Sequence, residues 1–169
     1  MKGQQLRWNG SLDPDIISHL PAGRGSYALF LSLTEAVHLT IGRLGAFDFL
    51  AGGYVYLGSA HGPGGLRARL AHHARIEDHL QWHLDYFRPF AQITGGFISE
   101  EIQAGALPLE CAWSQQFLRL PGALPAVPGF GSADCRRGCP AHLIWLPHSL
   151  LLSNLQQLTL PEWLQNCYK

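Results

Sequence analysis

The chain has 169 residues, 47% of them hydrophobic and 14% charged, with 19 Gly and 11 Pro. That composition supplies one apolar core, excludes intrinsic disorder, and leaves too little length for two ordinary domains. Twelve basic and twelve acidic side chains cancel, so no global field recruits nucleic acid or an anionic membrane, and any anion site must be local. No stretch approaches the roughly 18 apolar residues of a membrane span, and the first residues lack the apolar core of a signal peptide. The expectation is a soluble cytoplasmic protein, without membrane association, whose four cysteines stay as thiols or bind metal.

Ser26 to Leu33 is aromatic and apolar and reads as a buried strand. Two more strands follow, Val37 to Ile41 and Gly53 to Gly58, joined by Gly-rich connections in the manner of an antiparallel meander. His61-Gly-Pro-Gly-Gly65 breaks the chain. Helical patterns run from Leu66 to Asp78 and from His79 to Phe87, where Pro89 stops the second. A strand over Phe90 to Ile98 precedes a helix that carries Pro108 in its first turn and ends near Arg119. Pro121 to Pro128 is a loop, Ala141 to Leu146 a last strand, and Ser149 to Gln165 a Leu-rich terminal helix. The reading is a single α/β (α+β) domain over 1–169, with a small central antiparallel sheet flanked by helices. Its core covers about 25–146, with a helical extension over about 148–169.

Charge is unevenly placed. Residues 61–75 hold Arg67, Arg69 and Arg75 with no acid, whereas residues 76–110 set six acids against Arg88 alone. On the first helix Arg69 and His73 share the stripe of Leu66 and Leu70, and Arg67 faces water. An inward Arg needs a carboxylate, carbonyls or a bound anion, and the sequence leaves salt bridge and anion ligand equally open. His83 falls on the stripe of Leu80, Leu84 and Phe87, and Glu110 on that of Trp113 and Phe117, which sets a carboxylate against aromatic surface. The Gly-rich turn at 61–65 places free N–H groups at a helix start, where an anion could bind. It lacks the Lys and Ser/Thr of a nucleotide-binding phosphate loop. Cys135-x3-Cys139-x2-His142 has the residue types of a zinc site, but a fourth ligand must come from Cys111 or another His. Ordinary reduced thiols are therefore the stronger expectation, and nothing orients Cys111 as a nucleophile.

Gly25-Ser26-Tyr27, then Tyr56-Leu57-Gly58-Ser59-Ala60, then Arg69-Leu70-Ala71-His72-His73, then Glu110 stand in an order that resembles the GIY-YIG endonuclease superfamily. Trp82-His83-Leu84-Asp85-Tyr86, the run from Gly129 to Cys135, and His142-Leu143 are similar to its small Uri-type branch of stand-alone nucleases. Ser26 stands where Ile is typical. Tyr27 and Tyr56 lie 29 positions apart, a wide spacing that a hairpin between Val37 and Ala51 accounts for.

The resemblance implies hydrolysis of phosphodiester bonds in nucleic acid, DNA ahead of RNA, with Mg²⁺ or Mn²⁺ held by Glu110. By the same resemblance Tyr27 and Tyr56 line the cleft, one of them orienting or deprotonating the attacking water. Arg69 stabilises the pentavalent phosphate, His73 and His83 relay protons, and Gly58, Ser59, Arg67 and Arg75 contact the substrate. A non-catalytic nucleic-acid-binding module on this fold is the rival reading, expected to lose Glu110 while keeping Arg69. A zinc-stabilised interaction domain is the third, expected to bind metal at Cys135 and Cys139 and no DNA. The sequence leaves the oligomeric state open.

Overall fold

The computed structural model describes residues 5–101 and 103–147. The expected terminal helix over 149–165 lies outside the described residues. In chain order the elements are β1 (Gln5–Asn9), α1 (Pro14–His19), β2 (Gly25–Leu33), β3 (Val37–Ile41), β4 (Gly45–Phe49), β5 (Gly52–Ala60) and α2 (Gly65–Ala74). Then come α3 (His83–Phe87), β6 (Gln92–Ser99), β7 (Gln103–Ala104), β8 (Leu107–Pro108), α4 (Leu109–Phe117), β9 (Leu124–Pro125) and β10 (Leu143–Leu146).

Six strands form one antiparallel sheet in the order β1-β6-β2-β5-β10-β9. Its central strand β2 is buried on both faces, and period-2 alternation divides its side chains between two cores. Tyr27, Leu29, Leu31 and Leu33 join Leu66, Leu70, Leu84 and Phe87 beneath α2 and α3. Ala28 and Phe30 join Leu109, Trp113 and Phe117 beneath α4. The mixed α+β architecture is therefore the expected one, a central antiparallel sheet with helices on both sides.

The expected meander is corrected. β2 pairs directly with β5 from Gly25↔Ala60 to Leu33↔Gly52, and β3 pairs only with β4 in a separate two-stranded hairpin. That hairpin occupies the interval between the two tyrosines, and its Ile41 and Phe49 pack into the α2–α3 core. Hydrophobic content alone cannot tell a strand that joins the sheet from one that lies against it.

Helix bounds also differ. α2 stops at Ala74 because Arg75 is extended (φ −91°, ψ 155°). The second helix starts at His83, not at His79, because the Asp85 carboxylate takes the backbone N–H groups of Gln81 and Trp82, both at 2.9 Å. Those bonds fix a turn where the apolar pattern suggested helix, and Leu80 is left exposed. Pro108 precedes α4 instead of lying inside it, and the 121–128 loop contributes the short strand β9.

Candidate functional site

The register of β5 creates an open end in the sheet. β10 pairs with β5 only from Gly53 to Tyr56, and one further bond joins Leu57 N–H to His142 O at 2.9 Å. Beyond it the Gly58–Ala60 edge has β2 on one side and, among the described residues, no strand on the other. A cleft of about 770 Å³ opens there, lined by Tyr27, Tyr56, Gly58, Ser59, Arg69 and Glu110 together with Trp82, Arg136 and Arg137. Side chains from both faces of the sheet can reach one volume only where a neighbouring strand has ended.

Tyr27 and Tyr56 are diagonal neighbours on one face, since Tyr27 pairs with Gly58 and Tyr56 lies two residues earlier. Their ring centroids are 6.3 Å apart. Gly58 is required by this packing, because a Cβ there would sit 2.5 Å from Tyr27 Cζ. The Tyr27 hydroxyl lies 2.8 Å from His73 Nε2, and both residues are buried. Burial pushes the Tyr27 hydroxyl well above its usual range; Tyr56 adds to this and Arg69 opposes it. Burial, with Arg69 beside the ring, pushes His73 down to about 3. His73 is therefore a neutral imidazole at ordinary pH, and its Nε2 shares one hydrogen bond with the Tyr27 hydroxyl, as acceptor or donor according to the tautomer. Tyr56 is pushed up to about 12, again first by burial.

Arg69 is half-buried, with its guanidinium carbon 4.2 Å from the centroid of the Trp82 ring. The Trp82 ring is held in turn. Its backbone N–H is one of the two that Asp85 accepts, and the His72 ring meets it edge-on at 4.4 Å while bonding Asp85 through Nε2 at 2.9 Å. Burial would raise the Asp85 carboxyl, but the two backbone N–H groups and His72 outweigh it and hold it below its usual range. An acid buried to this extent is stable only with such partners. The stack holds the guanidinium at the cleft wall, and among the described residues Arg69 forms no salt bridge, so of the two alternatives the salt bridge is not made.

Glu110 enters from the other face of the sheet. It stands in the first turn of α4, is half-buried, and accepts a bond from Ser26 Oγ at 3.5 Å. Among the described residues it pairs with no Lys or Arg. A single carboxylate facing a polar, open cleft fits a hard divalent cation that keeps most of its water.

The family described as domain of unknown function DUF123 matches residues 26–160. The chain belongs to the DUF123 family. The match takes in every cleft residue named above, while no curated protein and no solved structure matches the chain.

Four expected site residues of this DUF123 domain lie outside the cleft lining. His73 is buried behind Tyr27, whose hydroxyl it bonds, so it does not face the cleft directly. His83 accepts the Gly131 N–H through Nδ1 at 3.0 Å and packs on Phe130, so it positions the turn before the cleft wall; the expected inward stripe failed because residues 79–82 are not helical. Arg67 Nε donates to Leu20 O at 2.7 Å, on the opposite side of α2 from Arg69. Arg75 Nε donates to Glu77 at 2.9 Å. The expected anion site at the start of α2 is also excluded, because Leu66 N–H donates to Gly23 O and Arg67 N–H to Pro21 O. Gly65, at φ +55°, lets that backbone approach; a Cβ would lie 2.6 Å from the Gly23 carbonyl carbon.

The structure also completes the thiol set. The donor atoms of Cys111, Cys135, Cys139 and His142 all lie within 4.8 Å of one another, so Cys111 supplies the fourth position and the cluster can hold a metal such as zinc. The cysteines are free thiols, as expected, and the fourth donor that the sequence lacked is present. A second set, His72, His73 and Asp85, is accounted for by the His72–Asp85 and Tyr27–His73 bonds. Trp82 and Asp85 are the functional residues that pattern reading missed. A buried Asp three residues after a Trp signals a capped turn, but only once its burial is known. Among the described residues no helix is long and apolar enough to cross a membrane.

Proposed function

We propose that this DUF123 chain is a divalent-metal-dependent endonuclease of the GIY-YIG type that hydrolyses phosphodiester bonds in nucleic acid, with DNA its first substrate. The observation that carries the reading is the convergence of Arg69, the two tyrosines and Glu110 on one open cleft. A phosphodiester in that cleft meets a planar guanidinium that can bond two of its oxygens at once. Arg136 and Arg137 add positive charge at the same wall.

Tyr27 positions and Tyr56 contacts. Tyr27 is fully enclosed and its hydroxyl is engaged by His73, so it fixes the floor of the cleft, whereas Tyr56 faces the volume where an attacking water would stand. Both hydroxyls are protonated at neutral pH, so neither acts as a base, and Tyr56 orients water by hydrogen bonding. A cation on Glu110, Mg²⁺ or Mn²⁺, supplies Lewis acidity toward the phosphate and the departing oxygen when bound. Such a protein works in the cytoplasm, where its thiols stay reduced.

The test is incubation of the purified chain with labelled single-stranded, duplex and branched DNA and RNA, in Mg²⁺, Mn²⁺ or chelator, beside Glu110→Gln. Expected is metal-dependent cleavage that falls about a hundred-fold or more in Glu110→Gln, with nucleic-acid binding and the thermal midpoint nearly unchanged. Full activity of the variant across a metal titration would reject Glu110 as ligand. Binding without cleavage by the wild type under every condition would favour a non-catalytic binding module.

A further inference from the structure

We propose that Cys111, Cys135, Cys139 and His142 bind one structural zinc ion, which staples the first turn of α4 to the arm that runs from Ser132 to His142. The distances carry this. In a tetrahedron with Zn–S of about 2.3 Å and Zn–N of about 2.0–2.1 Å, sulfurs lie about 3.8 Å apart and sulfur and nitrogen about 3.6 Å apart. Cys111 Sγ is 3.6 Å from Cys135 Sγ and 3.8 Å from His142 Nε2. A disulfide needs about 2.05 Å, and all three cysteines are free. Four protein donors close the coordination shell, which marks a structural site and not a catalytic one. Thiolates select zinc over Mg²⁺ by softness, so this centre and the Glu110 carboxylate do not compete for one ion.

The surroundings are built for thiolates. Arg137 N–H donates to Cys135 Sγ at 3.4 Å. His142 is fixed by its backbone, whose N–H donates to Phe130 O at 2.8 Å and whose carbonyl accepts from Leu57 N–H at 2.9 Å, and it presents Nε2 to Cys111. The arm has a mechanical need for a staple. Between Ser132 and His142 it forms only turns, with Gly138 at φ +71°, and nearly all of its side chains other than Ser132, Cys139, Ala141 and His142 reach the surface. Ser114 Oγ of α4 donates to Ala141 O at 2.9 Å and ties down the end of the arm; the metal would fix its middle, where Arg136 and Arg137 stand.

The full chain, purified without chelator, is expected to hold one zinc per molecule by elemental mass spectrometry. The content should fall to under about a tenth in Cys135→Ser and Cys139→Ser and stay at one in Glu110→Gln. Replacement by Co²⁺ should give the intense visible bands of a tetrahedral thiolate site. If the Cys variants fail to fold, thiol titration of the wild type decides: chelator should expose three additional reactive thiols that added zinc protects again. Equal thiol reactivity with and without chelator would overturn the proposal. So would unchanged zinc in the Cys variants, or a Cys111–Cys135 disulfide in the protein as isolated. The zinc readouts do not depend on cleavage, so failure of the nuclease reading leaves them intact.

Discussion

Replacing His73 by Gln should flatten the acid dependence of stability. His73 is held neutral in the folded chain because burial, reinforced by Arg69, lowers it to about 3, whereas in the unfolded chain it titrates near its ordinary value of about 6.5. Below that value the unfolded chain binds a proton that the folded chain does not, so stability falls as pH drops from about 6.5 toward 3 and is fully present above 7. Integrating one such proton between pH 7 and pH 5 gives a loss of about 2 kcal/mol. For a chain of this size, a urea m-value of about 2 kcal/mol/M turns that into a midpoint change of about 1 M. The assay is urea unfolding of wild type and His73→Gln at both pH values in one zinc-saturated buffer. His83 and His142 are also lowered, first by burial, but they act equally in the two proteins and cancel in the comparison. The wild-type midpoint should drop by about 1 M more than that of His73→Gln. Equal drops would mean that His73 carries a second ring proton in the folded chain and is not held neutral there.

Arg69→Lys keeps the charge but loses the planar fork and the stack on Trp82, so kcat should fall about ten-fold or more with a smaller change in binding. Arg67→Lys, whose parent side chain is tied to Leu20 O, should leave cleavage within about two-fold, and steady-state kinetics on one labelled duplex compares the two. Gly58→Ala forces a methyl to within 2.5 Å of Tyr27 Cζ, which should cost about 1–3 kcal/mol in urea unfolding. A neutral outcome would show that the tyrosine ring can move aside.

Much of the fold was legible because the two-sided core strand announces itself. Residues Tyr27 to Leu33 carry apolar side chains at almost every position, which only a strand covered on both faces can bury. α2 was legible by period, since Leu66, Leu70 and His73 are all buried. What stayed hidden depended on partners remote in sequence. β1 is short and mixed, and its Trp8 packs against Gly96, where a Cβ would lie 2.5 Å from the indole; neither residue marks the other in the sequence. The start of α3 was hidden for a different reason. A side-chain carboxylate competing for backbone N–H groups overrides a helical apolar pattern, and the pattern carries no trace of the competition.

The site divides in the same way. Motif order pointed to Tyr27, Tyr56, Arg69 and Glu110, and helical phase placed Arg69 inward, but phase beyond a helix end misled at His83. The fourth donor of the thiol cluster was hidden because Cys111 stands 24 residues from Cys135 and on another element. Glu110 and Cys111 are consecutive on α4, so about 100° of helical rotation separates a hard oxygen donor from a soft sulfur donor. Both side chains border the cleft, and the thiol also meets Cys135 of the arm at 3.6 Å. One helical turn can then anchor two centres of different chemistry, and any shift of α4 that loosened the thiolate ligand would also displace the carboxylate. Arg136 and Arg137 sit between Cys135 and Cys139 on the same arm, so the staple that fixes α4 also sets the distance from these cations to Glu110.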